Sequence, residues 1–232
     1  MILTELFQRR SLAEGANDPG VFKAVFMAGP PGAGKNKVIR DLGMESYGLR
    51  LQDIDQITAY LRSTRANAEA VIKRRQSILA SQMLGLIINM TGRNRESLLR
   101  INNSLHAIGY DTFMIYVDSQ EDIAWQRCIG RIQRQTASRE KNEPVTKDYF
   151  DNAYASCNRN APVYAIDFGD NFAYIKNDVV VQNDGSYDAN ESHAEFVKSV
   201  AQAGKKLQKF INSPLSPTAN KILALAKRSV DR

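Results

Sequence analysis

Short, almost wholly apolar runs alternate along the chain with longer segments in which apolar residues recur at helical spacing. Val21 to Ala28 is the first such run. It reads as a buried strand, because a strand covered on both faces shows no polar alternation. Leu49 to Gln52, Leu84 to Met90, Thr112 to Val117 and Phe172 to Ile175 read the same way, with Val179 to Gln182 as a further candidate. Between them the pattern predicts helices over Lys35 to Leu42, Gln56 to Met83 (broken near Arg65 to Asn67) and Asn94 to Ile108. Gly109 occupies the C′ place that ends the last of these. The next helix runs to about Ala137, with Ser119 as its cap and Asp122 at the third position of a capping box. Residues 138–145 are charged, contain Pro144 and read as a loop. Thr146 or Asp148 opens a helix expected to end near Asn160, and Asn190 to Ile211 forms a long one. A linker, Ser213-Pro214-Leu215-Ser216-Pro217, leads to a last short helix, Thr218 to Ser229. Strands alternating with helices of this length imply a parallel, doubly wound α/β sheet.

The first strand runs into Gly29-Pro30-Pro31-Gly32-Ala33-Gly34-Lys35, and a helix follows. This is G-x-x-x-x-G-K in the strand–loop–helix setting that gives the motif its meaning. The glycines let successive backbone N–H groups point inward around phosphate oxygens, the helix start adds partial positive charge, and Lys35 reaches the outer phosphates. Gly29 through Lys35, with Asn36 and Lys37, are therefore the candidate nucleotide-binding residues. The motif calls for Ser or Thr after the lysine, whose hydroxyl ligates Mg2+. Asn36 stands there instead. Its amide oxygen can ligate a hard cation, but it lies further from the backbone than a hydroxyl. The run Leu86-Ile87-Ile88 ends at Asn89, where a metal-associated carboxylate is expected. Two neutral amides thus occupy the hydroxyl and acid positions, which questions Mg2+-dependent turnover but not phosphate binding. Asn36 and Asp53 are the candidate metal ligands.

At this point the chain resembles the P-loop kinase group that includes zeta toxins and polynucleotide kinases. More narrowly, it resembles zeta-toxin-like proteins of T-even-type phages, cyanophages above all. The residues that carry the likeness are Asn17 to Phe26 before the loop, the Asn89-Met90-Thr91-Gly92 turn, Gly109-Tyr110-Asp111-Thr112 entering a strand, and Arg127-Cys128-Ile129-Gly130-Arg131 on a helix. The likeness spans roughly residues 15 to 180, and its departures are Asn36 and Asn89. It implies a P-loop NTPase fold of the nucleoside-kinase type: a three-layer sandwich with a parallel sheet, a helical lid and a helical C-terminal tail. It also implies transfer of the ATP γ-phosphoryl group to a hydroxyl of a nucleotide, a nucleic-acid end or a sugar nucleotide, with Mg2+ as the usual companion. In such kinases an Asp just after the second strand orients the acceptor; Asp55 matches that place best and Asp53 next. Arg127 and Arg131 would be catalytic lid residues and Arg134 a nucleotide contact. Their i, i+4, i+7 spacing puts the three guanidiniums on one helix face.

The divisions that follow are a leader over 1–20, the P-loop kinase-like domain over 21–185, a C-terminal helix over 186–212, and a linker with a basic amphipathic helix over 213–232. Charge refines this picture. The net +6 invites a nucleic-acid reading. Yet residues 1–200 hold 24 Lys and Arg against 24 Asp and Glu, so the surplus sits in the last 32 residues. Within the balanced part, residues 33–140 carry +5, as a polyphosphate ligand would explain, and residues 141–200 carry −5. Contact with nucleic acid would come through the basic tail, and the C-terminal helix is a candidate for self-association or capsid contact. Leu12-Ala13-Glu14-Gly15 resembles the Leu/Ile-x-Glu site cut by the head-maturation protease of such phages. That likeness gives two expected locations: the host cytoplasm, or the phage head after cleavage following Glu14. No apolar run approaches the roughly 20 residues of a membrane helix. Cys128 and Cys157 read as ordinary thiols, and His106 and His193 as isolated side chains.

Overall fold

The computed structural model describes residues 18–53, 65–137, 145–180 and 191–230. The expectations placed on the leader, on Asp55, on the 138–144 loop and on Gln182 lie outside these residues. Five strands form the sheet: β1 (Lys23–Ala28), β2 (Leu49–Gln52), β3 (Gly85–Asn89), β4 (Asp111–Asp118) and β5 (Phe172–Lys176). The helices are α1 (Lys35–Asp41), α2 (Arg65–Ser81), α3 (Arg95–Ala107), α4 (Glu121–Ala137), α5 (Lys147–Phe168), α6 (Glu191–Ile211) and α7 (Pro217–Val230). All strand pairs are parallel, in the order β2-β3-β1-β4-β5. The chain begins in the middle of the sheet and steps outward both ways. The loop leaving β1 therefore lies at the switch point, where the crossovers part and leave a crevice.

Every residue of β1 is buried, and its two faces feed two cores. Val25 and Met27 join Ile87, Ile115 and Val117 under α1 and α6, where Val38, Phe196, Leu207 and Phe210 pack. Ala24, Phe26 and Ala28 join Leu86, Met114 and Tyr116 under α3, α5 and α7. This makes a three-layer sandwich of the P-loop NTPase type. Asn94 caps α3 by accepting from the Ser97 N–H at 2.9 Å, and Gly109 follows its end at φ 97°.

Three elements depart from expectation, two of them for a tertiary reason. Helix α5 does not stop near Asn160 but runs through Pro162 to Phe168. Proline removes one backbone bond, yet the extra turns bring Phe168 edge-on to Phe26 with ring centroids 5.8 Å apart. They also set Asp167 against Arg95 in a two-pronged contact of 2.6 and 2.8 Å. Helix α4 starts at Glu121 rather than after a Ser119 cap, because the Ser119 hydroxyl instead lies 3.2 Å from Arg127 Nη1. Val179 and Val180 form no strand.

The C-terminal helices are built into this fold. Lys23 is 1% exposed, and its ammonium donates to Asp111 Oδ2 (2.9 Å), Ser213 Oγ (2.8 Å) and Ser213 O (3.1 Å). That latch holds the end of α6 to the start of β1. Ser216 Oγ bonds the Gly109 carbonyl at 3.0 Å, and Ala219 is seated against Gly109. The apolar stripe of α7 thus packs on its own domain, with Lys221, Lys227 and Arg228 outward. Among the described residues no helix is long and apolar enough to cross a membrane.

Candidate functional site

The C-terminal ends of the strands converge on the loop after β1. Pro30 O accepts from the Ala33 N–H at 3.2 Å, which curls the loop, and Gly34 O accepts from the Lys37 and Val38 N–H groups, which starts α1. Gly34 provides no side-chain cap, and the first turn of α1 holds no acid, so no side chain of the helix's own start offsets the partial positive charge there. Two of the glycines are required by geometry. Gly32 lies at φ +79°, and a Cβ there would come within 2.0 Å of the Ala124 carbonyl; Gly34 lies at φ +90°, and a Cβ would come within 2.3 Å of Asn177 Nδ2. The loop is thereby clamped between α4 and the segment after β5. Lys35 Nζ arches over the loop to Gly29 O (2.9 Å) and Pro30 O (3.1 Å), holding an ammonium at its mouth. Lys37 pairs with Asp41 and lies 5.0 Å from the Phe196 ring centroid, on the α6 side of α1.

Asn36, Asp53 and Asn89 meet beside the loop. Asn36 Nδ2 donates to Asp53 Oδ2 at 3.1 Å, Asn89 Nδ2 donates to the same oxygen at 2.9 Å, and Asn89 Nδ2 also donates to Asn36 Oδ1 at 2.8 Å. Reversing either amide would set nitrogen against nitrogen or oxygen against oxygen, so the arrangement is self-consistent. Asp53 is 4% exposed, and Asn89 Oδ1 is buried without a hydrogen-bond partner. These residues do not fit Mg2+. The ion needs oxygens in near-octahedral array, whereas here two N–H groups face Asp53 Oδ2 and the Asn36 oxygen is already bonded. No group of three His, Cys, Asp or Glu able to hold a metal occurs among the described residues.

On α4, Arg127 is turned to the back of the loop. Nη1 donates to Gly32 O (3.1 Å) and Ser119 Oγ (3.2 Å), and Nη2 to Asn177 O (2.9 Å) and Val179 O (2.7 Å). Asn177 in turn donates from Nδ2 to Ala33 O at 2.7 Å. Arg127 thus stitches together the P-loop, α4 and the segment after β5, an arrangement that positions the loop rather than aiming both prongs at a phosphate. Arg131 shares the helix. It acts with Lys35 and Arg127 to oppose the upward push that burial gives the Cys128 thiol. The Arg134 side chain lies outside the described residues.

The turn after β3 is fastened by α5. Cys157 Sγ donates to Thr91 O (2.9 Å), Asn160 Nδ2 to Gly92 O (3.1 Å) and Arg93 O (3.0 Å), and Tyr164 Oη to Gly92 O (2.7 Å). Thr91 O also accepts from the Gly29 N–H at 3.1 Å, tying this turn to the start of the P-loop. Neither Asn177 nor Ser119 stood out in the sequence as a site residue. The available signal was position alone, since both lie just past the C-terminal end of a strand, the edge where doubly wound sheets hold ligands.

A parallel 2-3-1-4-5 sheet with a lysine-tipped phosphate loop at its switch point defines a P-loop kinase-like α/β protein. Residues 12–192 match the Zeta toxin family, so the chain belongs to that family. No curated protein matches it in sequence. Its fold is similar to that in the PezAT chromosomal toxin–antitoxin system of Streptococcus pneumoniae. There the TM-score is 0.53 at 13% identity, over 90% of this chain and 85% of the other. It is also similar to the AvrRxo1-ORF1:-ORF2 structure with ATP, with a TM-score of 0.50 at 13% identity, over 83% of this chain and 69% of the other.

Proposed function

We propose that the chain binds ATP through Gly29 to Lys35 and transfers its γ-phosphoryl group to a hydroxyl of a nucleotide, a nucleic-acid end or a sugar nucleotide. The observation that carries this is the pre-shaped P-loop at the sheet's switch point, closed by Lys35 and clamped by Arg127 and Asn177. Family membership and a fold shared with an ATP-bound structure support it. In this reading the backbone N–H groups and Lys35 hold and polarise the phosphates, and positioning with charge compensation lowers the barrier. Arg131 compensates charge on the transferring group, while Arg127 keeps the loop in shape. Asp55, or Asp53 two residues before it, orients the acceptor hydroxyl. We assign no step to Mg2+, because the residues present do not fit it.

The Asn36–Asp53–Asn89 arrangement favours a second reading, a catalytically reduced nucleotide-binding protein with a structural or head-associated role in a phage. One experiment separates the two: following γ-phosphate transfer from labelled ATP to each acceptor class, with Lys35→Ala as control. Lys35-dependent transfer establishes the kinase. Saturable ATP binding without transfer to any acceptor, and with no gain on Asn36→Ser plus Asn89→Asp, rejects it in favour of the second reading.

A further inference from the structure

We infer that the Asn36–Asp53–Asn89 clasp stands in for a protein-held divalent cation, so that this P-loop grips a nucleotide polyphosphate without help from Mg2+. The inference rests on the nucleotide-binding reading above and adds the ionic form of the ligand. The three residues are far apart in sequence, and the β2-β3-β1 order alone brings them together. Gln52 and Ile88 are paired across β2 and β3, and Asn89 pairs with Met27 across β3 and β1. The next residue of β2, the end of β3 and the first turn of α1 therefore meet at one corner of the crevice.

Each member of the clasp answers a need that a metal would otherwise meet. A carboxylate only 4% exposed needs compensation that solvent cannot give. The amide donors at 3.1 and 2.9 Å contribute to it. A residue at the Asn36 position needs a fixed orientation beside the phosphates, and the 2.8 Å bond from Asn89 supplies that. A cation entering here would have to displace these donors from Asp53 and would gain, among the described residues, one carboxylate and a neutral amide in return. The Lys35 ammonium at the mouth of the loop favours the nucleotide form with more negative charge, which is the metal-free one. Asn36 and Asn89 are thus ligand-specificity residues, selecting free over metal-complexed polyphosphate.

The test is calorimetric titration of the full chain with ATP, once in EDTA and once with Mg2+ in excess over nucleotide. The wild type is expected to bind as tightly in EDTA as in Mg2+, or more tightly. Asn36→Ser plus Asn89→Asp is expected to bind about tenfold more tightly with Mg2+ than without. Asn36→Ser alone is measured as well, in case the double variant does not fold, and is expected to move the same way. Tightening of the wild type by Mg2+ beyond about threefold overturns the inference and leaves nucleotide binding standing. Variants that stay as indifferent to Mg2+ as the wild type also overturn it, since the amides would then not be the cause. Absence of binding in either condition overturns the nucleotide reading itself, and this inference with it.

Discussion

Lys23 gives the sharpest test of how the C-terminal helices are attached. Its ammonium has three hydrogens and meets three acceptors, on Asp111 and Ser213, and lies over the Phe210 ring, 5.0 Å from Nζ to the centroid. Lys23→Met keeps most of the stem's packing and removes all three bonds. Losing one partner of a buried pair costs about 3–5 kcal/mol. Asp111 is 27% exposed, so water recovers part of that for the orphaned carboxylate, and we expect a loss of about 2 kcal/mol. With a urea slope of about 2 kcal/mol per molar or somewhat more for a chain of this size, the midpoint should fall by nearly 1 M. The coupled control is Asp111→Asn, which removes the carboxylate's charge. In that background Lys23→Met should cost about 1 kcal/mol less than in the wild type. A midpoint shift smaller than about 0.25 M, or a full cost in both backgrounds, would refute the assignment of Lys23 as a latch between β1 and the end of α6.

Other expectations follow from particular contacts. Gly34→Ala puts a side chain at φ +90° and 2.3 Å from Asn177 Nδ2; it should lower the melting temperature by about 5 °C or more and weaken ATP binding about tenfold in calorimetry. Burial pushes the Cys157 thiol up from 9.0 to about 12. The unfolded chain therefore loses this proton first, and stability should decline as pH rises from about 9 toward 12. Urea midpoints measured across that window should fall, with the buried Tyr110, Tyr116 and Tyr164, all raised by burial, adding to the slope at its upper end. Replacing Lys221, Lys227 and Arg228 with Gln should leave ATP affinity unchanged, because these side chains are exposed on a helix packed away from the P-loop. Excising residues 213–232 is a different perturbation, since it removes both Ser213 from Lys23 and Ala219 from Gly109; a drop in the urea midpoint is the expected outcome.

The strands and the phosphate loop were legible because each carries a local signal. A run such as Phe113-Met114-Ile115-Tyr116-Val117 has no polar face to leave exposed, and Gly32 and Gly34 stand where only glycine fits. The end of α5 was not legible, because Pro162 is a local stop that the contacts of Tyr164, Asp167 and Phe168 override. Ser119 was misread for a related reason. A serine before an acidic turn has the local form of a cap, and nothing nearby in sequence announces that Arg127 claims its hydroxyl. The sequence pointed to Asn36 and Asn89 as two separate departures from a metal site. That they close on Asp53 depends on strand order, and a single sequence does not print strand order. Lys23 was hidden in the same way, as one charge at the edge of an apolar run whose partners lie 88 and 190 residues away.

The central claim is that Gly29 to Lys35 forms a working nucleotide-phosphate site, and one titration tests it most directly. ATP is titrated into the wild type and into Lys35→Ala, with the melting temperature of each recorded alongside. Saturable binding at one site is expected in the wild type and at least about tenfold weaker binding in the variant, with a cooperative melting transition in both to show that the variant is folded. Equal affinity in the two proteins, or no binding by a folded wild type, would contradict it.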